Sequence, residues 1–159
     1  MLKLNDIAVA YDDMYILQNV TATFEKGKFY GILGPNGSGK TTLLKVMSNV
    51  LKPNEGKVLL NNQPIEQYKA KQLAKMMSVL PQLNASTFSN TVRETVSIGR
   101  YPHQSGLFST WSKEDEKAVQ HAMQQTGTLQ FEHMPVTFLS GGEQQRVFIA
   151  QALAQQADI

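Results

Sequence analysis

Cysteine is absent from the 159-residue sequence, which excludes disulfide bonds, thiolate zinc sites and a cysteine nucleophile. Charged residues are also scarce, at 18%, and 15 Lys and Arg against 13 Asp and Glu leave a net charge of +2. Because this surplus is small and scattered, we expect no nucleic acid partner. No apolar run approaches the roughly 18 residues that cross a bilayer, and the N-terminus has no signal-peptide core. These absences predict a soluble, cytoplasmic chain of one domain.

Hydrophobic periodicity predicts an α/β fold that begins with antiparallel strands. Apolar residues alternate with polar ones over 2–11 and again over 20–24, the pattern of half-buried strands. The unbroken apolar runs at 29–33 and 77–80 indicate strands covered on both faces of a sheet. A further strand is expected at 57–60. Apolar residues at helical spacing predict helices at 41–50, 67–75, 91–98, 113–126 and 142–154.

A glycine-rich segment with the pattern G-x-x-x-x-G-K-[ST] follows the first apolar run and precedes a predicted helix. Its glycines allow positive φ and close approach of the backbone to a ligand, so that successive N–H groups converge on phosphate oxygens. Lysine supplies a positive charge for the β and γ phosphates, and threonine a hydroxyl for Mg²⁺. The candidate ligand-binding residues are Gly34, Asn36, Gly37, Ser38, Gly39, Lys40, Thr41 and Thr42.

This loop predicts nucleotide binding more strongly than the alternative, a glycine-rich turn with a solvated lysine, but it does not separate an ATPase from a GTPase or a kinase. A second motif, Leu139-Ser140-Gly141-Gly142-Glu143-Gln144, makes that distinction. Ser140 and Glu143 form the spacing of a capping box, and the two glycines leave the first N–H groups of the helix unshielded. We therefore expect a second anion site at 140–142.

These two motifs together resemble the ATP-binding cassette (ABC) proteins, and the resemblance covers essentially the whole chain. It implies a P-loop NTPase of the ABC type, with an antiparallel β subdomain and an inserted α-helical subdomain, incomplete in this sequence. The implied division is an ATP-binding core with the β subdomain at 1–82, a helical subdomain at 83–140, and the signature helix with the start of a core strand at 141–159.

The resemblance also implies a role for several single residues. Tyr11 matches the aromatic residue that stacks on adenine, and Gln82 matches the glutamine that holds Mg²⁺ together with Thr41. The implied cofactors are ATP and Mg²⁺. The implied assembly is a head-to-tail dimer with a second nucleotide-binding subunit, identical or different, in which Ser140, Gly141 and Gly142 contact the γ-phosphate in trans. Outside the resemblance, a tyrosine at the end of a strand is more often ordinary edge packing, and a glutamine after proline is usually a loop residue.

Within the family, the segment 96–103 resembles the ATP-binding subunits of importers for iron siderophores, haem and cobalamin. This implies coupling of ATP binding and hydrolysis to uptake of an iron chelate, on membrane permease subunits at the inner face of the cell membrane. Residues 83–110 would form the groove that receives the permease. The alternative for Arg100 and His103 is that they are solvated loop residues.

The family hydrolyses ATP with an acidic pair at the end of an apolar strand and a histidine further on. None of the 13 acidic residues ends such a strand, and Asp158-Ile159 resembles the start of one. No catalytic residue is therefore identified, and we expect the pair and the histidine beyond Ile159. Two other functions stay open: a nucleotide-binding module that does not hydrolyse, and a soluble ABC ATPase not linked to transport.

Overall fold

The computed structural model describes residues 1–12, 14–80, 90–104 and 111–159. The chain forms two compact units, residues 1–69 and residues 70–159. Among the described residues, no helix has the length and apolar character needed to cross a membrane. The predicted boundary at residue 82 lies outside the described residues and stays a prediction.

The first unit is built on an antiparallel sheet of four strands in the order β2-β1-β3-β4. These are β1 (Leu2–Tyr11), β2 (Met14–Phe24), β3 (Glu55–Leu60) and β4 (Gln63–Pro64). The predicted antiparallel start is confirmed, because β1 pairs with both β2 and β3 in that sense. Apolar side chains from β1 and β3 form the buried core of the sheet, and an irregularity in the pairing between Leu4 and Ile7 shifts the alternation of buried residues along β1 by one. The most buried are Leu2, Leu4, Ile7, Val9, Val58 and Leu60.

A loop and one helix, α1 (Lys40–Met47), connect β2 to β3. The prediction of a buried strand at 29–33 was wrong: no strand is formed there, and the side chains of Phe29 and Leu33 are 100% and 94% exposed. A strand of this kind exists only by pairing with its neighbours, and no described segment pairs with this one. Tyr30 folds back instead, with its ring against Phe24 and its hydroxyl accepting the N–H of Glu25.

The second unit is helical. It contains α2 (Ala70–Met76), α3 (Val92–Ile98), α4 (Lys113–Gln125) and α5 (Gly141–Ala154). Complete capping boxes begin the last three helices, on Thr91 with Glu94, Ser112 with Asp115, and Ser140 with Glu143. A core packs α3, α4 and α5 together, with Val92, Val96, Val119, Met123, Val147 and Ala150 among its buried members.

No strand is assigned over 77–80, where an apolar run predicted one. A start of strand pairing is nevertheless present beside it. The N–H of Ile159 donates to the carbonyl of Met76 at 3.1 Å, and the N–H of Ser78 donates to the carbonyl of Ile159 at 2.7 Å. Ile159 is thus bonded to Met76 and to Ser78, the residues before and after Met77. This is the hydrogen-bond pattern of two parallel strands. Val79 and Leu80 are exposed beyond it.

Candidate functional site

The glycine-rich loop has the backbone shape that its sequence predicts. Gly37 and Gly39 have φ values of 81° and 83°, a region that favours glycine. Gly39 also lies against the end of the β1–β2 hairpin: a Cβ there would approach Leu17 Cδ2 to 2.8 Å and the Ile16 carbonyl oxygen to 3.1 Å. At Gly37 a Cβ would meet no atom within 4 Å. The hairpin therefore supports one end of the loop, while the middle of the loop is open.

The side chain of Lys40 turns back into the loop. Its ammonium group donates to the carbonyl oxygens of Gly34 at 2.9 Å and of Pro35 at 2.7 Å. Lysine carries three donors on a compact charge, so this arrangement holds a positive charge inside the loop. The loop is thereby folded around a cation.

The N-terminus of α1 adds unpaired donors to this charge. The first N–H groups of a helix have no partner within it, and α1 has no acidic residue in its first turn to neutralise them. Among the described residues, the hydroxyls of Ser38, Thr41 and Thr42 make no hydrogen bond to protein. The loop thus offers backbone donors, free hydroxyls and one amine, a set that suits an anion with several oxygens.

Tyr11 is the last residue of β1 and pairs with Met14 across the hairpin. Two residues before it, Val9 pairs with Leu17, and Leu17 lies against Gly39 of the loop. Two residues of a strand span about 7 Å. Tyr11 is 52% exposed, so the hairpin that supports the loop also presents an accessible aromatic ring. Tyr11 and residues 34–42 therefore belong to one compact unit, as the predicted site requires.

The second predicted anion site lies in the other unit, at the start of α5. The backbone N–H and the hydroxyl of Ser140 donate to Glu143 Oε2 at 2.8 and 2.6 Å. The hydroxyl of Ser140 accepts in return from the N–H of Glu143. These bonds lower the pKa of Glu143 below its usual value, the Ser140 side chain contributing most. The carboxylate is therefore ionised at neutral pH and fixes the start of the helix.

Residues 140–142 leave open space around the first turn of α5. A Cβ at Gly141 or Gly142 would meet no atom within 4 Å. Behind them the chain is held in place, because Leu139 is buried and its carbonyl accepts from the Gln144 side chain at 2.9 Å. The turn is thus an accessible surface of backbone on a fixed support, which suits contact with a second molecule.

For Gln82 and Arg100 the structure gives a different outcome from that of the loop residues. Gln82 lies outside the described residues, so its proposed contact with Mg²⁺ stays a prediction. Arg100 is only 4% exposed, so its interpretation as a solvated loop residue is wrong. Sequence reasoning also missed the partner of Arg100, the buried Asp115, because the capping box of α4 already accounted for that carboxylate. Over the described parts of the chain, no group of His, Asp and Glu could hold a metal by itself.

Comparison with known proteins agrees with both motifs. The model of the ABC transporter family matches residues 17–159. The chain is 50% identical over 158 residues to the uncharacterized ABC transporter ATP-binding protein YvrA of Bacillus subtilis, covering 99% of this chain and 36% of YvrA. It is 39% identical to the iron(3+)-hydroxamate import ATP-binding protein FhuC of the same organism, covering 99% of this chain and 58% of FhuC.

A solved structure is also similar. The ATP-binding cassette MJ0796, in a dimeric post-hydrolysis state bound to ADP and Pi, gives a TM-score of 0.83 at 28% identity. The match covers 99% of this chain and 71% of that one. The chain spans 36% of the length of YvrA and 58% of that of FhuC. Since the family model matches most of the sequence and the fold agrees, the chain belongs to the ABC transporter family.

Proposed function

We propose that the chain binds ATP at residues 34–42 as part of the ATP-binding subunit of an ABC importer. The observation that carries the proposal is the loop itself, folded around the Lys40 ammonium group and followed by a helix N-terminus free of acidic residues. A triphosphate is the ligand whose charge and number of oxygens match these donors. Membership of the ABC transporter family supports the choice of ATP over GTP.

Each loop residue has a distinct part in holding the triphosphate. Lys40 binds the β and γ phosphates, and the N–H groups from 36 to 41 line the phosphate chain. Tyr11 stacks on the adenine ring from the end of the hairpin. The donor chemistry of Thr41 fits Mg²⁺, because its exposed hydroxyl is unpaired and Mg²⁺ prefers oxygen ligands shared with phosphate and water. When bound, Mg²⁺ neutralises charge on the phosphates.

Residues 140–142 complete the site in a second subunit. The open backbone of Gly141 and Gly142 and the helix N-terminus behind it give a second set of donors for the γ-phosphate. Two such surfaces hold a triphosphate better than either alone, so ATP joins two subunits. The dimeric state of MJ0796 with ADP and Pi supports this assembly.

The coupled process is uptake of an iron chelate through membrane permease subunits, with this chain at the cytoplasmic face. The support is the likeness to FhuC, an iron(3+)-hydroxamate import protein. Hydrolysis in this family uses an acidic pair and a histidine, and the sequence analysis identifies neither among residues 1–159. A single-turnover assay on the 159-residue chain tests this point: we expect ATP binding without release of phosphate, and release at the rate of a complete ABC ATPase would contradict it.

Nucleotide binding is tested by titrating the chain with a fluorescent ATP analogue and Mg²⁺. Lys40→Ala should weaken binding at least tenfold, because it removes the charge held inside the loop. Lys45→Ala is the matched control: it removes an exposed lysine from the last turn of the same helix and should leave affinity unchanged. Equal affinity of Lys40→Ala and the parent chain would overturn the assignment of the loop.

A further inference from the structure

The end of α3 and the end of α5 are in direct backbone contact. Gly99, immediately after α3, approaches α5 so closely that a Cβ there would lie 2.2 Å from the carbonyl oxygen of Gln151. Any side chain at residue 99 would therefore displace one of the two helices. The absence of a side chain at residue 99 therefore allows the close approach of α5 to the end of α3.

Arg100, the next residue, bonds to the C-terminal end of α5. Its Nη1 donates to the carbonyl of Ala154 and to Gln156 Oε1, both at 2.8 Å. Its Nε donates to Asp115 Oδ1, also at 2.8 Å, and both side chains are buried. The guanidinium group is planar and rigid, so three acceptors on two elements fix its orientation and theirs.

Asp115 connects this arginine to the start of α4. Its other oxygen, Oδ2, accepts from the hydroxyl of Ser112 at 2.7 Å and from the Ser112 N–H at 3.1 Å. Burial raises the pKa of Asp115, but the bonds from Ser112 and Arg100 outweigh it and hold the pKa below its usual value. Asp115 is therefore ionised at neutral pH, and its carboxylate joins the cap of α4 to Arg100, which bonds to the end of α5.

His103 adds a second donor from the same turn. Its Nε2 lies 2.8 Å from the carbonyl oxygen of Gln155, and because a carbonyl only accepts, Nε2 is the donor of this bond. The side chain of Gln155 in turn bonds to the carbonyls of Ala74 and Met77 and to the hydroxyl of Ser78. A helix leaves its last carbonyls unpaired; here two of them, at 154 and 155, are bonded by side chains from residues 100–103.

The direction of α5 matters because its other end carries Ser140, Gly141 and Gly142. Fourteen residues of helix extend about 20 Å, so a tilt of about 5° at the C-terminal end moves the N-terminal end by nearly 2 Å. The donor–acceptor distance of a hydrogen bond varies by only a few tenths of an ångström, so a displacement of this size would break contacts with a phosphate. A buried ion pair is often no more stabilising than apolar residues of the same volume, although removing one partner alone is destabilising. The property that this pair adds over an apolar contact is therefore its geometry.

We propose that Arg100, held by Asp115, is a positioning residue that sets the direction of α5 and so places Ser140–Gly142 for phosphate contact in the partner subunit. The inference rests on the proposed function, since it assigns these residues a role in ATP-driven dimerisation. It also concerns the structure of the free chain, where it can be tested without nucleotide.

Arg100→Lys and Arg100→Gln are the test variants, and Arg93→Gln is the matched control. Arg93 lies on α3, seven residues before Arg100, and also forms ion pairs, with Glu116 of α4 and with Glu132, but it makes none of the bonds to α5 described above. The first measurement is the ¹H–¹⁵N spectrum without nucleotide. We expect the amide resonances of Gly141 and Gly142 to shift in Arg100→Lys and to stay in place in Arg93→Gln.

The second measurement is the dimer dissociation constant at saturating MgATP, by analytical ultracentrifugation, beside nucleotide affinity of the monomer. Arg100→Gln should raise the dimer dissociation constant at least tenfold and Arg100→Lys by less, with monomer affinity for ATP unchanged in both. Arg93→Gln should match the parent chain in all three readouts. If Arg100→Gln does not fold, Arg100→Lys decides by the same criteria.

Unshifted glycine resonances, or equal dimerisation of folded Arg100 variants and the parent chain, would overturn the inference. An equal loss in Arg93→Gln would also overturn it, because the effect would then follow the loss of any ion pair. Absence of ATP binding by the parent chain is a separate outcome that contradicts the proposed function, and the spectra still decide whether Arg100 positions the helix.

Discussion

Replacing Gly39 by alanine tests two properties of the phosphate-binding loop, the positive φ of residue 39 and its close contact with the β1–β2 hairpin. At φ 83° an alanine costs about 1–2 kcal/mol, because its Cβ crowds the following carbonyl. Its Cβ would also lie 2.8 Å from Leu17 Cδ2 and 3.1 Å from the Ile16 carbonyl, an overpacking that costs about 1–3 kcal/mol. We expect Gly39→Ala to lower the free energy of unfolding by about 2–5 kcal/mol and to weaken ATP binding.

Gly37→Ala is the matched control, because its φ of 81° is nearly the same while no atom lies within 4 Å of the added Cβ. Gly37→Ala should lower the free energy of unfolding only by the cost of placing alanine at positive φ, about 1–2 kcal/mol. The measurement is urea denaturation followed by circular dichroism. In a double-mutant cycle, Leu17→Ala should recover the part of this overpacking cost of about 1–3 kcal/mol that comes from Leu17, while the contact with the Ile16 carbonyl stays. Equal destabilisation by the two glycine variants, with no coupling to Leu17, would refute the close contact.

Three further predictions follow. Tyr11→Ala should weaken ATP binding by about 1–3 kcal/mol in calorimetry, the range for bases stacked on aromatic rings, and Tyr15→Ala, equally exposed in the same hairpin, should not. Ser140→Arg should keep monomer affinity but prevent ATP-driven dimerisation in ultracentrifugation; dimers like those of the parent chain would contradict the role in trans. Because the folded-state pKa of Asp115 is lowered, its stabilisation is present above the ordinary value of about 4 and is lost as pH falls through the folded value. Asp115→Asn should therefore flatten the fall of the urea midpoint as the pH drops below about 4, and Glu114→Gln, at an exposed position in the same turn, is the matched control.

Elements governed by local chemistry were predictable from the sequence. Alternation over 2–11 predicted β1, and the capping residues Ser112 and Ser140 predicted where α4 and α5 begin. Capping and periodicity act over three or four residues, so a single sequence contains the whole signal. The glycine-rich loop belongs to the same class, since its positive φ values at Gly37 and Gly39 follow from residue type and spacing.

Features that depend on distant partners were not predictable. The run at 29–33 has the composition of a buried strand, yet it forms none because strands need neighbours, and composition does not reveal whether a neighbour is there. The burial of Arg100 depends on residues 115, 154 and 156, which come together only when α3, α4 and α5 pack. A solvated arginine was one of the two interpretations that the sequence allowed, because an unpaired charge is rarely buried.

The central claim is that residues 34–42 bind the triphosphate of ATP. Isothermal calorimetry of the folded 159-residue chain with ATP and Mg²⁺ tests it most directly. We expect one ATP bound per chain, and a much weaker or absent signal with adenosine, which has no phosphates for Lys40 and the loop to hold. A folded chain that binds no ATP, or that binds adenosine equally well, would contradict the account.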